Sequence, residues 1–112
     1  MRAGEQKKIV SISSSHGSVT VPPLVEGAFW YGMSKAALNK TMATLSYVLE
    51  VEGITVVLLH PGAALTEKQA HLEFPGMIET TFSVSHMIAT ITGLTIADTG
   101  KFLQYDGSPQ PW

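Results

Sequence analysis

Tyr31 and Lys35 stand four residues apart in the stretch Tyr31-Gly-Met-Ser-Lys35, at the start of a long helical pattern. That spacing puts both side chains on one face of a helix. A free tyrosine has a pKa of about 10 and is a poor acid or base at neutral pH. An ammonium one turn away stabilises the phenolate and makes the proton easier to move. Such a tyrosine can donate a proton to a carbonyl oxygen being reduced, or accept one from an alcohol being oxidised. Upstream lies the run Ser13-Ser14-Ser15, and a hydroxyl from it can hydrogen-bond the same oxygen as charge develops there. No side chain supplies a hydride, so this chemistry requires a nicotinamide cofactor. The same residues also allow a plainer reading, a packed tyrosine beside a solvated lysine.

These residues must be positioned by the elements around them. Lys8-Ile-Val-Ser-Ile12 is short, β-branched and nearly continuous in apolar residues, and it predicts a parallel strand covered on both faces. Ser13 to Val19 follows as a polar turn, and Pro22-Pro23 places a loop before the helix. From Trp30 to Glu50, Leu38, Met42, Leu45 and Leu49 form a core-facing stripe. Ala37, Thr41, Thr44 and Val48 form a second stripe of small residues suited to close helix packing, and Gly53 stops the helix. Ile54 to Leu59 is the clearest strand, ended sharply by His60-Pro61-Gly62. Ala63 to Phe82 has weak periodicity and predicts a mobile segment with one or two short helical turns. Ser83 or Ser85 is expected to cap a helix running to about Gly93. Ile96 to Gly100 is a turn, Phe102 to Tyr105 a last short strand, and Asp106-Gly107 a turn into a Pro-rich tail. Strands alternating with helices imply parallel pairing, right-handed crossovers and an α/β layered fold, with the working site at the carboxyl ends of the strands. Ser14 and Pro61-Gly62 both fall on that edge.

Composition excludes several alternatives. A chain of 112 residues with a formal net charge of −2 gives no reason to expect nucleic acid or an acidic membrane surface as partner. There are no cysteines, hence no disulfides and no thiolate metal sites. The four histidines, His16, His60, His71 and His86, sit at no ligand spacing, so no metal is expected; His16 and His60 can line the cleft. No apolar run approaches the roughly 20 residues of a membrane helix, and residues 1–10 lack the apolar core of a signal peptide. A soluble, cytoplasmic protein is the expectation.

Three stretches taken together go further. Ile9-Val-Ser-Ile-Ser-Ser14, Tyr31-Gly-Met-Ser-Lys35-Ala-Ala-Leu-Asn39 and Pro61-Gly-Ala-Ala-Leu-Thr66 resemble three consecutive motifs of the short-chain dehydrogenase/reductase family. Gly100-Lys-Phe-Leu-Gln-Tyr-Asp-Gly107 through Trp112 resembles the last strand of its carbonyl-reductase-like members, of the sniffer and C-factor type. The resemblance runs from about Lys8 to Trp112. It implies Ser14 as the substrate-orienting serine, with Gly17 three residues on as in the family's Ser-x-x-Gly turn, and Ser13 and Ser15 as weaker candidates. It implies Tyr31 as the catalytic acid/base and Lys35 as the residue that favours its phenolate and binds the nicotinamide ribose. Pro61, Gly62 and Thr66 match the segment that lies against the nicotinamide and pyrophosphate, and the span of about 63–82 matches the substrate lid. The implied cofactor is NADP or NAD, NADP slightly preferred, and the implied substrate a small carbonyl or alcohol.

One departure changes what this implies. The family's Gly-rich turn, which places the pyrophosphate on a helix N-terminus, does not occur in these 112 residues, nor does its Asn-Ala-Gly segment. Asn39 is the only asparagine. The resemblance therefore implies one partial domain over 1–112, the C-terminal half of a Rossmann-type doubly wound parallel sheet. Strand Lys8–Ile12 would then be an open edge, the sheet face beside it would be apolar and uncovered, and homo-oligomerisation through helix 31–50 is expected. Two functions follow: an NAD(P)-dependent oxidoreductase of which this is the catalytic half, inactive or very weak by itself, or a non-enzymatic module associating through its long helix and exposed sheet edge.

Overall fold

The computed structural model describes residues 7–20, 29–62, 64–65 and 78–112. Its central element is the strand β2 (Thr55–His60), flanked by β1 (Lys8–Ile12) on one side and β5 (Phe102–Gln104) on the other, all parallel, in the order β1-β2-β5. Ile12 is level with Leu59, and His60 with Gln104, so the three carboxyl ends form one edge. The β-branched run Thr55-Val-Val and the two leucines that follow suit a strand buried on both faces, and residues 55–59 are all buried.

Alternation along β2 divides the core in two. Val56 and Leu58 join Met42, Ile54 and Phe102 in a cluster on one face, with Ile9, Leu38, Leu45 and Leu49 packed against it. Val57 and Leu59 join Leu94 and Leu103 on the other, with Val10, Met87 and Ile91 against them. The first face carries α1 (Phe29–Glu50) and the second α2 (Thr80–Gly93), giving a helix-sheet-helix sandwich. Val56, Val57 and Leu59 are 0% exposed, and burying each side chain contributes about 1.5–3 kcal/mol. The expected core stripe of α1 is thus found, and among the described residues the uncovered apolar surface of the central sheet lies on β1. There Ile9 and Val10 are half-buried on opposite faces and Ile12 is exposed.

Helix α1 stops where the sequence places the stop. Gly53 adopts φ +71°, its N–H donates to Glu50 O at 2.9 Å, and Ile54 N–H donates to Leu49 O at 3.2 Å. These bonds satisfy two of the helix's last carbonyls, and Ile54 packs in the same core as Leu49.

Helix α2 differs from expectation at its start. It begins at Thr80, ahead of both serines proposed as caps. Ser83 is buried and its hydroxyl donates to Pro61 O at 2.6 Å, while Ser85 donates back to Phe82 O at 3.0 Å. A hydroxyl inside the helix found a tertiary carbonyl, an acceptor that local pattern cannot reveal. Before it, β3 (Ala64–Leu65) and β4 (Ile78–Glu79) pair as a short parallel ladder that the sequence pattern does not show; positions 63 and 66–77 of the proposed lid, with the helical turns expected there, lie outside the described residues. The tail after Asp106-Gly107 folds back on β5, with Gln104 N–H donating to Ser108 O at 2.7 Å, Gln110 N–H donating to Phe102 O at 2.9 Å, and the Trp112 ring tilted against Phe102 at a centroid distance of 5.2 Å.

Candidate active site

The carboxyl end of β1 runs straight into the serine run. Ser13 N–H donates to Leu59 O at 2.7 Å, prolonging the parallel ladder by one bond. Ser14 is extended, at φ −153° and ψ 152°, and caps a 3-10 turn over Ser15–Gly17: its Oγ accepts the His16 N–H at 3.1 Å. The turn presses against α1. A Cβ added to Gly17 would lie 2.8 Å from the Lys35 carbonyl carbon, and one added to Gly32 would lie 3.2 Å from His16 O. Glycine at both positions is what lets turn and helix approach this closely.

Each serine of the run has a different task. Ser13 Oγ donates to the buried Asn39 Oδ1 at 2.5 Å, tying the end of β1 to the third turn of α1. Ser15 uses its backbone, donating to His60 Nδ1 at 3.2 Å. Ser14 Oγ stands 3.2 Å from His16 Nδ1, and the His16 ring meets the edge of Tyr31 at a centroid distance of 5.3 Å. His16 is therefore the side chain that touches both Ser14 and Tyr31. Its Nε2 is buried and has no hydrogen-bond partner among the described residues.

On α1, Tyr31 is half exposed, and its hydroxyl makes no hydrogen bond to a described residue. The Lys35 ammonium lies 5.7 Å from the Tyr31 ring centroid and donates to Ile12 O at 3.4 Å. The one-turn spacing thus holds in space, and the cation sits between the tyrosine and the carboxyl end of β1. An ammonium carries three donors, so with one long bond to Ile12 it has donors left for hydroxyl groups.

Across the edge, His60 ends β2. Its burial holds the imidazole below the ordinary histidine range, and repulsion from His16 pushes the same way. Because Nδ1 accepts from Ser15, the neutral ring carries its proton on Nε2. Pro61 follows with its carbonyl taken by Ser83, and Gly62 turns the chain at φ +80°, a conformation that side chains resist. The fold therefore gathers Ser14, Tyr31, Lys35, Pro61 and Gly62 along one edge of the sheet; Thr66 lies outside the described residues. Asn39 and the linking roles of His16 and His60 escaped the sequence, although His16 lies two residues beyond Ser14 and His60 immediately before Pro61. Among the described residues no group of three His, Asp or Glu side chains is placed to hold a metal ion, and no helix is long and apolar enough to cross a membrane.

Similarity to known proteins points the same way. A family profile described as Enoyl-(Acyl carrier protein) reductase matches residues 1–110. C-signal of Myxococcus xanthus is 36% identical over 100% of the chain and 65% of its own length. An uncharacterized oxidoreductase of Saccharomyces cerevisiae is 40% identical over 91% of the chain and 44% of its own. Among solved structures, the NADPH-bound carbonyl reductase from chicken fatty liver superposes with a TM-score of 0.87 at 34% identity, over 94% of this chain and 42% of that one. The carbonyl reductase Sniffer of Drosophila melanogaster gives 0.82 at 32% identity, over 94% of this chain and 41% of that one. The chain thus spans 41–65% of the length of these four proteins. Its parallel sheet, the tyrosine–lysine helix and these similarities over nearly its whole length agree: the chain belongs to the short-chain dehydrogenase/reductase family of oxidoreductases.

Proposed function

We propose that this chain carries the proton-transfer half of an NAD(P)-dependent oxidoreductase that interconverts small carbonyls and alcohols. The observation that carries the reading is the Tyr31–Lys35 face of α1, set over the carboxyl end of β1 and joined to Ser14 through His16. In reduction, Tyr31 gives its hydroxyl proton to the carbonyl oxygen. Ser14 donates a hydrogen bond to that oxygen as negative charge builds on it. Lys35 stabilises the phenolate that Tyr31 becomes. In oxidation the same groups work in reverse, Tyr31 taking the proton of the alcohol.

A nicotinamide dinucleotide, when bound, supplies or accepts the hydride. The donor set fits its nicotinamide-ribose end: the Lys35 ammonium and the Tyr31 hydroxyl are suited to ribose hydroxyls, and Pro61, Gly62 and Thr66 would adjoin the nicotinamide and pyrophosphate. NADP is slightly preferred over NAD, in keeping with the NADPH held by the chicken carbonyl reductase. The 112 residues include no Gly-rich turn to cradle the pyrophosphate.

The test is NADPH-dependent reduction of small aldehydes and ketones, measured for this chain and for the longest in-frame reading that contains it. Tyr31→Phe should lower kcat by about 100-fold or more wherever turnover is found, and this chain by itself should show no saturable NADPH binding. Turnover indifferent to Tyr31→Phe would refute the assignment. A second reading, a cytoplasmic assembly module without catalysis, is favoured by the exposed apolar side chains Met33 and Val48 along α1 and Val51 just beyond its end, and by the outer edge of β1. Self-association through helix 31–50 is compatible with either.

A further inference from the structure

The serine turn is held from two sides. Toward α1 it is held by packing, with Gly17 against the Lys35 backbone and Gly32 beneath His16 O, and by the bond from Ser13 Oγ to Asn39 Oδ1. Toward β2 it is held, beyond the last ladder bond from Ser13 to Leu59, by the bond from Ser15 N–H to His60 Nδ1 at 3.2 Å. Ser15 is buried, so an amide that lost this acceptor would have little access to water in exchange. Ser14 sits between the two holds, and its hydroxyl is already directed by the His16 N–H.

We propose that His60 is a positioning residue for Ser14: its neutral ring latches the serine turn to the end of β2, and protonating the ring releases the turn. An imidazolium has no lone pair on Nδ1 and presents an N–H there instead, so it faces the Ser15 N–H donor to donor. The role for Ser14 rests on the proposed function; the latch itself does not.

The groups around His60 determine how the latch responds to pH. His16 on the serine turn acts on it through space. Tyr31 and Lys35 reach the turn from α1, Tyr31 through the His16 ring and Lys35 through the Ile12 carbonyl. The β5 partner of His60 is the uncharged Gln104, and α2 brings Ser83 to the adjoining Pro61. No described carboxylate acts on the ring, while burial and the His16 charge both oppose its protonation. The latch therefore stays closed at neutral pH and opens only under acid conditions.

The experiment is an NMR titration of the labelled 112-residue chain from about pH 8 to about pH 5, the range in which histidines titrate, following the His60 ring and the Ser15 amide. The Ser15 amide should move with the His60 ring, at a midpoint below the ordinary value of about 6.5. His60→Asn, whose Oδ1 can accept at the Nδ1 position, should keep the Ser15 amide where it lies at neutral pH and abolish its pH response. His60→Leu should displace that amide at every pH, speed its hydrogen exchange by about tenfold, and weaken the nuclear Overhauser contact between the His16 and Tyr31 rings. His16→Asn should leave the Ser15 response in place. A Ser15 amide indifferent to the titration of His60, or still responsive in His60→Asn, overturns the proposal. So does an unchanged amide and ring contact in His60→Leu. Failure of the Tyr31→Phe turnover test overturns the enzymatic reading without touching these signals, so the two can fail separately.

Discussion

Gly17 has no room for even a methyl group. A Cβ there would meet Asn39 Nδ2 and the Lys35 carbonyl carbon at 2.8 Å and the Lys35 oxygen at 2.9 Å; the side-chain amide can shift, but the helix backbone cannot. Gly17→Ala should therefore destabilise the fold by about 1–3 kcal/mol, read as a lower urea midpoint at unchanged m-value. The sequence marked this glycine as part of a Ser-x-x-Gly turn; the approach of helix to turn supplies the reason for it. His60 makes a second residue-scale prediction. Its folded pKa is depressed, by burial first and by His16 second. The unfolded chain then takes up the proton before the folded chain does, so the native state is favoured above the unfolded value of about 6.5. That contribution is lost as pH falls from there through the folded value. Urea midpoints measured across this window should fall with acidity in the wild type, and the fall should be smaller in His60→Asn.

At the scale of elements, Lys8 joins parts far apart in sequence. It lies on the edge strand β1, yet its ammonium donates to Ile91 O at 2.9 Å and Thr92 O at 3.2 Å, carbonyls in the last turn of α2. A cation there answers both the last-turn carbonyls, of which Ile91 O also accepts the Leu94 N–H, and the negative end of the helix dipole. Lys8→Met keeps the aliphatic stem and removes the charge. It should cost about 0.5–1.5 kcal/mol, seen as a lower urea midpoint and as faster amide exchange near Gly93. Local pattern located the strands and the long helix well, because continuous β-branched apolar runs and a helical period of nearly four are both visible in the sequence. It misplaced the start of α2, because Ser83 answers to Pro61 and not to its own helix, and it missed β3 and β4, which are two residues each and carry no periodicity.

At the scale of the whole molecule, α1 is apolar on two sides. Leu38, Met42, Leu45 and Leu49 pack into the core, while Met33, Ala37 and Val48 are exposed on the outward side with Thr41 and Thr44 among them. We propose that this outer stripe is an association surface, its occupant a second copy of the same helix. Thr44→Arg leaves the inner stripe untouched and puts a charge into the outer one. It should shift sedimentation equilibrium from dimer to monomer at micromolar concentration, with the far-UV circular dichroism unchanged. A wild-type chain that sediments as a monomer at every concentration would exclude the surface.

The sequence alone determined the class of fold and the identities of Tyr31, Lys35 and Ser14 as candidates, because helical spacing, β-branched runs and the three motifs are all short-range features. It also marked Pro61-Gly62 as the end of the central strand. What only the tertiary structure decided is how the serine run divides its work. Ser13 turns to Asn39, Ser15 to His60 and Ser14 to His16, which in turn meets Tyr31. Three adjacent serines are alike until partners 26 and 45 residues away stand beside them, and such partners meet only when the parallel ladder sets Ile12 level with Leu59.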